Sequence, residues 1–126
     1  MPSAGDAAAR VKAGLPVKEF DVLRQLLGLT TAALAEKVGI SLATLSRRRH
    51  RSEVLDAGHS DRVLRFARLF RLAVALYDGD ESAARTWLTT PARALDGQTP
   101  LDFADTEAGA REVENLIGRL EHGVYT

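Results

Sequence analysis

From Ser41 to Arg51 the chain reads Ser-Leu-Ala-Thr-Leu-Ser-Arg-Arg-Arg-His-Arg, small hydroxyl- and methyl-bearing residues running into a cationic cluster with no carboxylate among them. A guanidinium presents two parallel N–H donors that match guanine O6 and N7 or a pair of phosphate oxygens, while alanine and threonine methyls fit against the 5-methyl of thymine. At 100° per residue, with Leu45 turned inward, Ala43, Arg47 and His50 fall on the opposite face of a helix, with Thr44 and Ser46 beside them. Arg47 is suited to a guanine, Ala43 or Thr44 to a thymine methyl, and Lys37, Arg51 and the amides near Thr31 to phosphates. Ser41 at the start of the helix and Arg48 complete the candidate nucleic-acid-binding set, although Arg48 stands where a third inward apolar residue is usual.

Such a helix needs a partner that sets its angle. Upstream, Thr31 to Ile40 supplies Leu34 and Val38 for packing, Ala35 for close approach and Gly39 for a left-handed turn, so the spacing predicts a helix-turn-helix with Ser41 capping its second helix. The same spacing also occurs in ordinary helical hairpins, whose basic face is merely solvated. An earlier helix carries Phe20, Leu23, Leu26 and Leu27 and stops at Gly28, and Thr30 or Thr31 can cap the next one. After a loop over Glu53 to His59, Ser60 can cap a long helix through Val63, Phe66, Ala67, Phe70, Val74 and Tyr77. Asp78-Gly79-Asp80 breaks it. Asp80 then caps a helix containing Ala84, Trp87 and Leu88, Thr99-Pro100 opens a short one, and Thr106 precedes a last helix with Val113, Leu116, Ile117 and Leu120 that ends at Gly123. The expected architecture is all-α with about seven helices. Residues 1–17 read as a mobile arm, 18–59 as the helix-turn-helix domain, and 60–126 as a helical dimerisation and partner-binding domain.

Composition narrows the function classes. The 126 residues hold 17 basic and 17 acidic side chains, yet thirteen basic and seven acidic ones precede Asp78, and four basic and ten acidic ones follow from it onward. A basic first part suits a polyanion and an acidic second part a different partner. The absence of cysteine removes disulfide frameworks and thiolate chemistry, and with no leader-like start and no long apolar run it points to a cytoplasmic protein away from membranes. His50, His59 and His122 lack the spacing of a metal site. Asp78, Asp80 and Glu81 lack the continuation of a calcium loop. No phosphate-binding glycine loop or nucleophile elbow is present, so neither an enzyme nor a cofactor is expected. Arg62, Arg65, Arg68 and Arg71, recurring every third residue, read as solvated charges, and Trp87 as a core residue.

Beyond the generic helix-turn-helix, three elements are more particular: Trp87-Leu88-Thr89-Thr90-Pro91, Gly97-Gln98-Thr99-Pro100-Leu101-Asp102, and Gly123-Val124-Tyr125. With Val38-Gly39-Ile40-Ser41, Thr44-Leu45-Ser46-Arg47-Arg48, Ser60-Asp61-Arg62 and Thr106 to Val113, they make the chain from about Phe20 to Tyr125 resemble the Xre/MbcA/ParS family of type II antitoxins. The resemblance implies a DNA-binding homodimer that represses its own operon by binding operator DNA. It further implies a C-terminal domain that neutralises a RES-domain, NAD-consuming toxin by plugging its active site with the C-terminal end, here Gly123, Val124, Tyr125 and Thr126. Two other readings of the residues remain: a stand-alone helix-turn-helix regulator, and an interaction scaffold that has lost DNA binding, which Arg48 keeps open.

Overall fold

The computed structural model describes residues 4–123. Among them are eight α-helices and one 3-10 turn: α1 (Ala4–Ala13), α2 (Val17–Leu27), α3 (Thr31–Val38), α4 (Leu42–His50), α5 (Ala57–Leu76), α6 (Glu81–Leu88), the 3-10 turn Arg93–Leu95, α7 (Pro100–Phe103) and α8 (Glu107–Glu121). The all-α expectation holds. The chain divides into two compact units, the first ending at Leu64 and the second beginning at Arg65.

In the first unit, α2, α3 and α4 bury Phe20, Leu23 and Leu27 with Leu34, Ala35 and Val38 and with Leu45, while Ile40 fills the turn. Caps fix where α3 and α4 begin. Thr30 accepts from the Ala33 amide at 3.1 Å and Ser41 from the Thr44 amide at 3.0 Å, each satisfying a donor that the first helical turn leaves unpaired.

The stretch before Lys18, expected as an arm without regular structure, contains α1. Its five alanines favour helix without any apolar stripe, and Asp6 in the first turn and Arg10 and Lys12 in the last complement the helix dipole. After it, Leu15 and Val17 are buried. The backbone at Pro16 forms an isolated antiparallel bridge with Val54, and the Leu55 amide donates to the Leu15 carbonyl at 2.8 Å. Ser60 locks this junction: its fully buried hydroxyl accepts from the Leu15 amide at 2.9 Å and donates to the Leu55 carbonyl at 3.3 Å. Ser60 was expected to cap α5. The helix instead starts four residues earlier, at Ala57, where the Asp56 carboxylate accepts from the His59 amide at 2.8 Å.

In the second unit, Phe66, Leu69, Phe70 and Ala73 of α5 are buried, as are Ala84, Leu88, Leu95, Leu101, Ala104, Ala110, Val113 and Ile117. The capping expectations for the later helices hold, with Asp80, Thr99 and Thr106 each accepting from an amide three residues on at 3.0 Å. Gly109 marks a close crossing of α7 and α8, since a Cβ there would lie 1.9 Å from the Phe103 carbonyl oxygen.

Three of the arginines read as solvated charges are structural: Arg62, which donates to the Val38 carbonyl at 3.0 Å, Arg65 and Arg68. Arg65 is only 8% exposed; its Nε donates to Glu107 Oε2 at 3.2 Å and its Nη1 to the Asp105 carbonyl at 3.0 Å. Arg68 donates to Glu114 and, through Nη2, to Glu107 Oε1 at 3.0 Å. Burial pulls the Arg68 pKa down, but the hydrogen bonds and charges of Glu114 and Glu107 outweigh it and leave it raised. Positions three apart differ by only about 60° around a helix, so 65 and 68 can share one side facing α8. Assigning these residues to their unit halves the apparent charge split. The first unit has ten basic and seven acidic residues, and the second has seven and ten.

Candidate functional site

The turn between α3 and α4 is built around Gly39, whose φ of 82° lies in the left-handed region that a side chain disfavours. Its amide closes α3 by donating to the Ala35 carbonyl at 2.8 Å, and the Ile40 amide donates to the same carbonyl at 3.0 Å. From α5, Arg62 Nη1 donates to the Val38 carbonyl at 3.0 Å, and His59 Nε2 lies 3.1 Å from the Gly39 carbonyl oxygen. The last carbonyls of the turn are thereby engaged from a separate helix.

With Leu45 the one buried residue of α4, the opposite side of the helix carries Ala43, Ser46, Arg47 and His50, all exposed, with Thr44 partly so. Thr44 also accepts at Oγ1 from the Ser41 hydroxyl at 2.9 Å, which holds both hydroxyls at the helix start. Lys37 is half-buried in the last turn of α3. The structure thus brings together on one helix, with Ser41 as its cap, most of the residues that the sequence singles out for nucleic-acid contact.

The cations of the cluster differ sharply in what they touch. Arg48 is half-buried, with Nη1 donating to the Val54 carbonyl at 2.8 Å and lying 3.6 Å from Glu53. Its place in the inward register is filled by a folded-back stem, not an outward one. Arg49 makes a two-bond pair with Asp21 of α2, Nη2 to Oδ1 measuring 3.0 Å, and this hydrogen bonding raises its pKa against the lowering by burial. Arg51 lies 3.8 Å from Glu53. Arg47 alone of the four arginines makes no ion pair among the described residues, so its guanidinium carries an uncommitted positive charge on the exposed face of α4.

Sequence reasoning missed three participants. Leu42, the first residue of α4, is 53% exposed beside Ala43 and Ser46. Its angular distance of about 60° from Leu45 is a borderline that pattern alone does not decide. Arg62 and His59 lie twenty or more residues beyond the turn they hold, and no local spacing signals that contact. In the second unit Gly123 is exposed with φ 69° just past α8, while Val124, Tyr125 and Thr126 lie outside the described residues. Trp87, expected in the core, is only half-buried. It lines a surface groove of about 490 Å3 with Tyr77, Asp80, Thr86 and Thr90.

Known proteins match this arrangement along most of the chain. Residues 6–68 fit the model of the antitoxin Xre-like helix-turn-helix domain, and residues 72–123 that of the antitoxin Xre/MbcA/ParS C-terminal toxin-binding domain. An antitoxin Xre of Yersinia enterocolitica is 37% identical over 116 residues, covering 92% of this chain and 78% of that protein. An antitoxin Xre of Photorhabdus laumondii is 37% identical over 113 residues, 90% of this chain and 76% of that protein. One from Pseudomonas putida is 32% identical over 84 residues, 67% of this chain and 52% of that protein. With an Xre-like helix-turn-helix followed by a toxin-binding domain, the chain belongs to the Xre/MbcA/ParS family of antitoxins.

Proposed function

We propose that this chain is a cytoplasmic, non-enzymatic, homodimeric antitoxin that represses its own operon through α4 and neutralises a RES-domain, NAD-consuming toxin through its second unit. The observation that carries the DNA half is Arg47: an unpaired guanidinium stands beside Ala43, Ser46 and His50 on the exposed face of a helix whose register Gly39 and Ser41 set. Within residues 18–59, Arg47 reads a guanine and Ala43 or Thr44 a thymine methyl, with His50 and Ser46 at neighbouring base edges. Lys37, Ser41 and Arg51 contact phosphates and set the docking angle. Arg48 belongs to this interface chiefly by holding the end of α4 to Val54.

Residues 60–126 supply the dimer and toxin contacts, and the end of the chain, Gly123 to Thr126, is the plug of the toxin's NAD pocket. A net-acidic second unit supports this assignment, because a pocket built for an anionic dinucleotide is complementary to carboxylates. Co-expression with a RES-domain toxin, sought first in the product of the adjacent gene, tests both halves. Deletion of Val124 to Thr126 is expected to abolish rescue of growth and of the NAD level while operator binding persists. Rescue by the shortened chain would overturn the plug. Unchanged operator affinity in Arg47→Ala would overturn the DNA-reading role.

A further inference from the structure

The chain has seven aromatic residues. Phe20, Phe66 and Phe70 are buried and Phe103 is partly so. Tyr77 and Trp87, by contrast, converge on the groove at the α5–α6 connection, where Tyr77 is 37% exposed. Asp80 lines the same groove, and although its Oδ1 caps α6, the residue remains exposed beside the equally exposed Asp78 and Glu81. On the groove, the Thr90 hydroxyl is turned back onto the Thr86 carbonyl at 2.5 Å.

Two aromatic rings beside a carboxylate, rimmed by further negative charge, are the chemistry that holds a cationic side chain: ring faces attract a guanidinium or ammonium, and the carboxylate pairs with it. Tryptophan and tyrosine are also enriched among the residues that anchor protein interfaces. The groove lies wholly within the segment matched by the toxin-binding domain, and Trp87 and Thr90 belong to the distinctive element that ends at Pro91.

We propose that the Tyr77–Trp87–Asp80 groove is a second docking site for the toxin, taking an arginine or lysine side chain from the toxin's surface away from its NAD pocket. This rests on the toxin-neutralising reading above. The terminal plug blocks chemistry and this groove supplies the grip, so the two contributions are separable.

Trp87 is the sole tryptophan, which gives the site its own reporter. The full chain labelled with 5-fluorotryptophan carries one 19F signal, to be followed while the RES-domain toxin found in the co-expression experiment, inactivated by substitution, is added. The expected result is a shifted resonance that loses its sensitivity to exchange of H2O for D2O. In parallel, Tyr77→Ala and Asp80→Asn each weaken toxin affinity at least tenfold with melting temperature and operator binding unchanged, whereas deletion of Val124 to Thr126 leaves the 19F shift in place. A bound toxin with an unmoved signal, or affinities within twofold of the parent in both variants, overturns the proposal while leaving the toxin-neutralising reading intact. A signal that moves with antitoxin concentration before toxin is added assigns the groove to a second copy of this chain and also overturns it. Failure of the toxin to bind the full chain at all overturns the toxin-neutralising reading, and this inference with it.

Discussion

Arg62 reaches from α5 to the Val38 carbonyl, its Nη1 donating at 3.0 Å to the last residue of α3. The contact ties the turn before α4 to a helix that makes no part of the exposed face carrying Ala43, Ser46 and Arg47. Arg62→Ala is expected to lower unfolding free energy by about 1.5–3 kcal/mol, the range for a hydrogen bond from a charged donor, and to weaken operator binding without touching the α4 face. Urea denaturation and a gel-shift titration check this; full operator affinity in a variant of lowered stability would show that the turn holds its angle alone.

Gly39 faces the same arginine. A Cβ at this position would lie 2.7 Å from Arg62 Nη1, and the φ of 82° is strained for any side chain. Gly39→Ala is therefore expected to cost about 1–2 kcal/mol, mostly from the left-handed backbone because the arginine head can move aside. Thermal denaturation reads the loss, and a melting temperature equal to the parent's contradicts it.

Arg47 and Arg48 are neighbours with opposite expected phenotypes. Arg48→Ala removes the donor to Val54 and the partner of Glu53, so it is expected to destabilise by about 1–3 kcal/mol. Arg47→Ala, on an exposed face, is expected to stay within about 0.5 kcal/mol in stability while costing about 1–3 kcal/mol in operator binding. Calorimetry and footprinting on the two variants separate the roles, and a reversed pattern would remove Arg47 from base contact.

Gly109 is the most tightly hemmed in of the second unit's glycines. Because a Cβ would lie 1.9 Å from a backbone oxygen that no rotamer can move, Gly109→Ala forces α7 and α8 apart and is expected to cost about 3 kcal/mol or more. Circular dichroism melts and toxin co-purification both report it, and a stable, toxin-binding variant would contradict the crossing.

Glu107 serves two arginines. Glu107→Gln replaces the carboxylate that accepts from Arg65 Nε by a neutral amide, at an expected cost of about 1–3 kcal/mol, whereas Glu112→Gln on the exposed side of α8 is expected to stay within about 0.5 kcal/mol. Chemical denaturation of the pair is the check; equal stability of the two variants would mean that the charge of Glu107 adds nothing to the hold on Arg65.

Local rules made much of this molecule readable from its sequence. Thr30, Ser41, Asp80, Thr99 and Thr106 cap the helices expected of them, and Gly28 and Gly39 end theirs, because capping and left-handed closure depend on residues within one turn. What escaped depends on distance along the chain. Ser60 is a competent cap by type, and only the tertiary approach of Leu15, 45 residues away, turns it into a buried tie. Arg65 reads as a surface charge until Glu107, 42 residues on, neutralises it. Helix α1 has propensity without periodicity, a combination that a search for apolar stripes passes over. At the candidate site, register assigned the outward residues of α4 correctly but gave no means of telling Arg47 from its three neighbouring arginines, since pairing with Asp21, Glu53 and Val54 follows from the fold.

The junction at Leu15, Leu55 and Ser60 also bears on how such a protein can be assembled in evolution. Because Pro16 bridges Val54, the segment between them leaves and rejoins the chain at neighbouring points, sealed by backbone bonds and one buried hydroxyl. A segment whose two ends meet can be spliced into another protein without stretching its host, as domain insertions require. The Leu15–Ser60 clasp thus closes off a stretch whose two ends lie together, the arrangement that an inserted segment needs.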